Sequence, residues 1–342
     1  MRDWLCIDLI CRAFWNMERS IIAMGARRLQ SPNFAGIRMD SGRYHRGDDV
    51  LYPSVRAYAA TDTWMLARQL IQMPGFCAAL AQYCEVMTRP PAVPWPVNKV
   101  FAQKLRYIVC FVLIGNYARW RRVGGEPPTL AALQRAAPAS ARQIAGFVNS
   151  LRHGGYVIAE RHASDRRAIC LRPSSALLQE IARSPLAFLE AAERILVPEA
   201  QIAAHIGDDD DRLADWIRLS VERFQADDIL FGPFATIVHF TEHDCGYPLL
   251  AAVMGAHYAP LSPDAPRALS LTYAVLAERF QVSRQHIGNL LIEAERRGWF
   301  TVAYGGRSVA VSEELVRQFE TWAAGQMAHY RIIAAEVARD LR

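Results

Sequence analysis

The sequence carries two copies of one stretch, Thr129-Leu-Ala-Ala-Leu-Gln-Arg-Ala-Ala-Pro-Ala-Ser140 and Thr272-Tyr-Ala-Val-Leu-Ala-Glu-Arg-Phe-Gln-Val-Ser283, which align without a gap at an offset of 143 residues. In each copy the pattern predicts a short helix after the threonine, a tight turn, and a second helix capped by the closing serine. The second helices are expected to end at Gly155 and Gly298, because glycine favours the position that follows a helix.

Each copy continues into a pattern typical of a β-hairpin. The predicted strands and turns are Val157–Glu160, Ala163–Asp165 and Ala168–Leu171 in the first copy, and Phe300–Ala303, Gly305–Gly306 and Ser308–Val311 in the second. Helix, turn, capped helix and hairpin in this order predict a winged helix-turn-helix. The expected fold class is therefore mainly α with small β-hairpin wings, in a tandem arrangement.

Polar residues cluster where such a fold would meet DNA. The first turn of a recognition helix contacts base edges, and the wing contacts phosphates or the minor groove. The candidates in the helices are Ser140, Arg142, Gln143, Ser283, Arg284, Gln285, His286 and Asn289. The candidates in the wings are Arg161, His162, Arg166, Arg167 and Arg307.

The stretch from 98 to 190 resembles the MarR family of winged-helix regulators. Its Ser164-Asp165-Arg166-Arg167, followed by Ile169, Leu171 and Pro173, is similar to the wing of that family. The resemblance implies that Arg166 or Arg167 enters the minor groove and that Asp165 orients a wing arginine. The stretch Val282–Ile287 resembles the start of the recognition helix in many bacterial winged-helix regulators.

The same resemblance implies how the chain is assembled. MarR-type proteins are dimers in which flanking helices join the two winged units. One chain with two such units is expected to imitate that dimer as a pseudo-two-fold monomer, and a homodimer is the alternative. It would read two unequal half-sites about 10 bp apart, or a multiple of that distance.

The pattern along the chain predicts five segments. They are an N-terminal extension over 1–50, a helical segment with a proline-rich linker over 51–97, a first winged-helix domain over 98–190, a helical connector over 191–259, and a second winged-helix domain with a C-terminal helix over 260–342. The extension is either poorly ordered or helical over 7–24, and Met24 and Met39 are alternative starts.

Composition is compatible with this interpretation and does not establish it. The net charge is +5, and nearly all of the basic residues are arginine. The longest apolar run, Ile108–Ile114, is too short to cross a membrane. The seven cysteines include no C-x-x-C pair, and the N-terminus lacks a signal-peptide pattern, so we expect a cytoplasmic protein without membrane association.

Two other clusters and one aromatic group have ordinary structural explanations. Asp208–Asp211 is expected to be a solvated loop, and the cluster of His239, His243, Asp244 and Cys245 is a weak zinc candidate, so no metal is predicted. An aromatic group is expected to pack a long helix, with an effector pocket as the alternative; its members are Trp95, Tyr107, Phe111, Tyr117 and Trp120. The sequence contains no recognisable catalytic motif, so neither an enzyme nor a cofactor is expected.

The function that these patterns predict is a transcription regulator that binds double-stranded DNA with both modules and responds to a small-molecule effector. Two alternatives remain at this point. A plasmid-type replication initiator would use two winged helices on repeated origin sequences. A winged-helix scaffold would bind protein without reading DNA.

Overall fold

A computed structural model describes residues 50–90, 100–101, 103–161, 168–197, 200–261, 268–304 and 308–340. The described chain is mainly helical, with two small antiparallel hairpins, as the sequence predicts. A 3-10 helix over Pro53–Tyr58 comes first. The helices that precede the first repeated stretch are α1 (Asp62–Gln72), α2 (Phe76–Thr88) and α3 (Lys104–Val123).

The two repeated stretches form units of the same order. The first unit consists of α4 (Leu130–Ala136), α5 (Ala141–His153), β1 (Val157–Arg161) and β2 (Ile169–Pro173). The second unit consists of α11 (Tyr273–Phe280), α12 (Arg284–Arg296), β3 (Phe300–Ala303) and β4 (Ser308–Val311). Gly155 and Gly298, which follow α5 and α12, have φ values of 74° and 73°, so the predicted ends of these helices are confirmed.

Together with α1, α2 and α3, the remaining helices form a body that carries both units. They are α6 (Ser175–Leu196), α7 (Ile202–Gly207), α8 (Asp210–Ala226), α9 (Ala235–Glu242), α10 (Gly246–Tyr258) and α13 (Glu313–Asp340). A further 3-10 helix covers Ala259–Leu261. The predicted segment boundary at 190/191 lies inside α6, which continues to Leu196.

The helices of the two halves pack on each other reciprocally. From the first half, α2 packs against α10, and α3 packs against α8 of the second half. In the same way α1 packs against α13, and α7 packs against α6. The helices that follow the two hairpins, α6 and α13, pack against one another. Each half therefore completes its core with helices of the other half.

Small residues allow the exchanged helices to approach closely. A Cβ atom on Gly115 of α3 would lie 3.1 Å from the Val221 side chain of α8, and one on Gly255 of α10 would lie 3.1 Å from Cβ of Cys84 in α2. The side of the α3–α8 crossing carries the ion pairs Arg122–Asp215 and Arg119–Glu222. The crossings thus combine apolar contact inside with charge pairing outside.

Aromatic rings fill the space between the exchanged helices. Tyr83 of α2 stacks on Phe188 of α6 with ring centroids 3.9 Å apart, and its hydroxyl forms a hydrogen bond with that of Tyr247. Phe188 also meets Trp322 of α13 edge to face at 5.4 Å. One continuous cluster of buried apolar residues extends from Leu51 to Val337 and includes both units. Along the described residues, no helix combines the length and apolar character that a membrane span requires.

Replacing Gly325 by alanine should destabilise the fold. Its Cβ would lie 2.7 Å from the ring of Trp64, which is fully buried where α1 meets α13. Overpacking of this kind costs about 1–3 kcal/mol and exceeds the gain in helix propensity, roughly 1 kcal/mol. The matched control is Gly146→Ala on α5, where a Cβ meets nothing within 4 Å, so stability should increase. Urea unfolding measures both variants, and equal shifts would contradict the packing argument.

Stability should fall on mild acidification because of His329. This buried residue forms a 2.8 Å hydrogen bond with Ser220 and lies against the ring of Phe224. Burial, with a smaller contribution from Arg223, lowers its pKa from 6.5 to about 3. Below pH 6.5 the unfolded chain takes up the proton and the folded chain does not, so this site should cost about 2 kcal/mol between pH 7 and pH 5. The variant His329→Gln should show a shallower pH dependence of urea unfolding; an unchanged slope would refute this assignment.

Candidate nucleic-acid interface

Capping serines fix where the second helix of each unit begins. The Ser140 hydroxyl accepts a hydrogen bond from the backbone N–H of Gln143, and the Ser283 hydroxyl accepts one from the backbone N–H of His286. The predicted N-caps are therefore confirmed. The turn before α12 passes through Gln281 in a left-handed conformation, with φ at 56°. Both helices start at the protein surface with exposed residues on their first turn.

Each second helix has one buried and one exposed side. Ile144, Val148 and Leu151 anchor α5, and Ile287, Leu291 and Ala294 anchor α12. The opposite side of α5, here called the outer face of α5, consists of Arg142, Gly146, Asn149 and His153. The outer face of α12 consists of Gln285, Asn289, Ile292 and Arg296, which are also exposed. These two sets correspond one to one at the repeat offset of 143 residues.

Five of these eight positions were not among the predicted contact residues: Gly146, Asn149, His153, Ile292 and Arg296. Asn149 and Ile292 occupy equivalent places two turns beyond Arg142 and Gln285, and Ile292 is 52% exposed. The spacing of three and four residues from Arg142 and Gln285 would have located both of them. Among the outer-face positions, the sequence pattern indicates only Arg142, Gln285 and Asn289, so the far end of each outer face was not predicted.

Two predicted contact residues are engaged within the protein. The Gln143 side-chain oxygen accepts a 3.2 Å hydrogen bond from the Ser140 amide and completes a capping box. His286 donates from Nε2 to the backbone carbonyl of Asp244, at 2.7 Å, between α9 and α10. These two residues are equivalent at the repeat offset. In the first unit this position closes the cap of its own helix, and in the second it ties the helix start to the junction of α9 and α10.

The remaining helix candidates are exposed. Within the part of the chain that the structure describes, neither Arg142 nor Arg284 has an ion-pair partner. At the far end of α12, Glu293 binds Arg296 at 3.2 Å and Arg297 at 2.6 Å. The hydrogen bond from Arg297 lowers the pKa of Glu293, and Arg297 also lies 5.1 Å from the ring of Trp299. On α12 the arginine without an ion-pair partner among the described residues, Arg284, therefore lies at the N-terminal end, whereas α5 carries such arginines both at its start, Arg142, and in its last turn, Arg152.

The hairpins stand beside these helices. Arg161 is exposed at the end of β1, where it pairs in register with Ile169. The first hairpin is also joined to the start of its unit, since Thr129 bridges to Cys170. In the second hairpin, Tyr304 is 84% exposed and has a left-handed backbone with φ at 53°. The predicted wing residues His162, Asp165, Arg166, Arg167 and Arg307 lie outside the described residues.

The histidine cluster lies at the boundary between the body and the second unit. The His239 ring meets Trp299 edge to face at 5.1 Å, and His243 donates from Nδ1 to the His239 carbonyl. Burial, then Arg297 and His243, lower the pKa of His239 to about 4. Across the described residues, no group of three or more histidine, cysteine, aspartate or glutamate side chains is arranged to hold a metal ion. These side chains instead attach α9 to the second unit.

Comparison with protein-family models, with curated proteins and with solved structures found no match.

Removing either capping hydroxyl should weaken the fold. The variants Ser140→Ala and Ser283→Ala each lose the acceptor for an otherwise unbonded helix N–H, at a cost of about 1 kcal/mol. The control is Ser150→Ala on the exposed side of α5, where the hydroxyl only donates to the Gly146 carbonyl. Urea unfolding should show no loss for this control. A cap variant as stable as the parent would rule out the capping role.

Proposed function

We propose that this chain is a sequence-specific regulator that binds double-stranded DNA through the outer faces of α5 and α12. The observation that carries the proposal is the duplicated outer face. Two helices, related by the 143-residue repeat, each expose a polar strip that starts at a serine cap and is flanked by a hairpin. A helix of this kind, anchored on one side and polar on the other, fits the major groove of B-DNA.

Under this proposal the two units are winged helix-turn-helix modules in a MarR-like, pseudo-two-fold arrangement. The order of elements in each unit supports the module assignment. The reciprocal packing of α2 on α10 and of α3 on α8 supports the pseudo-two-fold axis. A single chain would then present both recognition helices and occupy two half-sites without a second chain.

The chemistry of the outer faces favours unequal half-sites. Arg142 and Asn149 on α5 suit a guanine and an adenine, because arginine pairs bidentately with guanine and asparagine with adenine. Gly146 between them lacks a side chain and lets the backbone approach the base edges closely. On α12, Gln285 and Asn289 suit adenines, and Ile292 suits the methyl group of thymine. The second half-site should therefore be richer in A·T pairs.

The hairpins would contribute affinity rather than sequence discrimination. Arg161 lies at the end of β1 beside the predicted basic wing tip, where it can meet phosphates. Tyr304 offers a large exposed ring at the corresponding end of β3. We assign the wing contacts to the DNA backbone and the minor groove, and the sequence preference to the helices. The predicted roles of Asp165, Arg166, Arg167 and Arg307 stay predictions.

A selection from a random duplex pool, followed by fluorescence anisotropy, tests the proposal. Affinity for the selected duplex should fall steeply between about 50 and 200 mM salt because counterions are released from phosphates. Arg142→Ala should weaken binding by about 1–3 kcal/mol and relax selection at one position of the first half-site. The double variant Gln285→Ala/Asn289→Ala should relax only the second half-site. Arg68→Ala, an exposed arginine on α1, serves as the matched control.

Each outcome decides between the alternatives. Absence of salt-dependent binding at low salt would overturn the proposal and favour a protein-binding scaffold. Unchanged selection by both outer-face variants would also overturn it, since the helices would then not read bases. A selected pool that consists of iterated copies of one half-site would favour a replication initiator.

A further inference from the structure

A cavity of about 210 Å³ lies where the two halves of the body meet. It is bounded by α2, α3 and α6 from the first half and by α8, α9, α10 and α13 from the second half. Of the aromatic group predicted to pack a long helix or to line a pocket, Tyr107 and Phe111 are on its wall. Tyr117 and Trp120 contact each other away from the wall, and Trp95 lies outside the described residues.

The wall of the cavity is mainly apolar and rich in rings. Nine aromatic side chains line it: Phe101, Tyr107, Phe111, Phe188, Phe224, Phe231, Tyr247, Trp322 and Tyr330. The Tyr107 hydroxyl donates to the Ile181 carbonyl, so its hydrogen bond is already made. The Phe224 ring lies tilted against that of Phe111, with ring centroids 6.0 Å apart. An apolar wall of this kind favours a ligand that is itself largely apolar.

Three residues of the wall carry buried hydrogen-bond donors that have no partner within the described structure. They are Gln326 at Nε2, Trp322 at Nε1 and Arg183 at Nε. Gln326 is 1% exposed and Trp322 is 3% exposed, so bulk water does not compensate them. Buried polar groups without partners are uncommon, and each costs about 1–3 kcal/mol. All three are donors, so the compensating group must be an acceptor.

The charges around the cavity are already paired. Arg183 binds Glu180 at 3.1 Å, and Lys104 binds Glu242 at 3.5 Å. The Asp228 carboxylate accepts hydrogen bonds from the amides of Phe231 and Gly232. No excess positive charge remains to balance a buried anion, which would be costly to desolvate. A neutral ligand is therefore favoured over a carboxylate.

We propose that this cavity binds a small, neutral aromatic compound with a carbonyl or similar hydrogen-bond acceptor. The volume suits one substituted ring, since a cavity of about 150 Å³ lined by apolar side chains accommodates benzene. The ring would pack against the aromatic wall. The acceptor would meet the amide of Gln326, after rotation of that side chain toward the cavity.

The cavity is connected to the second unit by one short helix. Val238 and Thr241 of α9 line the cavity. Phe240 contacts the Trp299 and Phe300 rings at 5.3 and 5.6 Å, on the chain that follows α12. Just beyond α9, the Asp244 carbonyl holds His286 on the first turn of α12. A ligand that displaces α9 would thus move α12; this part of the inference rests on the proposed DNA-binding function.

Calorimetric titration of the full chain with three probes tests the binding site without DNA. Acetophenone, which is neutral and carries a carbonyl, should bind saturably. Ethylbenzene, which lacks an acceptor, should bind about fivefold more weakly, and benzoate should bind more weakly still. Gln326→Leu should reduce acetophenone affinity about fivefold and leave ethylbenzene affinity unchanged. Ile108→Trp, which fills the cavity from α3, should abolish binding of both.

Val123→Trp is the matched control for the filling variant, because Val123 on the same helix is 73% exposed. Circular dichroism and thermal melting establish that each variant is folded. Failure of the parent chain to bind acetophenone would overturn the site, and so would binding that survives Ile108→Trp in a folded protein. Tighter binding of benzoate than of acetophenone would overturn the assignment of a neutral ligand.

The coupling to DNA is measured separately. Acetophenone at saturation should change the affinity of the parent chain for its selected duplex at least threefold and leave that of Ile108→Trp unchanged. Acetophenone binding without any such change would overturn the coupling and leave the site itself intact. A chain that binds acetophenone but no DNA would refute the proposed function and not the ligand site.

Discussion

The packing of α2 on α10 and of α3 on α8 is the constraint on which the rest of the molecule depends. Each crossing joins a helix of one half to a helix of the other half, so the hydrophobic core of neither half is complete alone. Gly115 and Gly255 keep the paired helices close, and one continuous apolar cluster results. The positions of the two units depend on this body, because α3 and α6 flank the first unit along the chain and α10 and α13 flank the second.

The same exchange explains why the cavity lies between the halves. Seven helices converge on it, and their aromatic side chains leave the junction incompletely filled. The Nε2 atom of Gln326 has no hydrogen-bond partner among the described residues, so the buried polar groups at this junction are not all satisfied. The apolar contacts of the cluster hold the body together. The unpartnered donors beside the cavity would allow a ligand with a matching acceptor to bind selectively.

Local features of the fold were predictable from the sequence, and non-local ones were not. The serine caps, the glycines after α5 and α12, and the hairpins each depend on a few adjacent residues. The exchange of helices depends on contacts between residues about 90 or more positions apart, for which an amphipathic pattern gives no partner. For the same reason the bond from His286 to Asp244 was not foreseen, and a residue expected at the interface with DNA is tied to the body.

Because the exchanged helices belong to one chain, the stability of the body does not depend on protein concentration. When two separate chains exchange helices, the complex dissociates on dilution, and its stability depends on the amount of protein present. Here both partners belong to one polypeptide, so their association is intramolecular and always in a ratio of one to one. Every molecule therefore contains one copy of each outer face. The two faces can differ in sequence, as they do at Asn149 and Ile292, and each molecule still presents both.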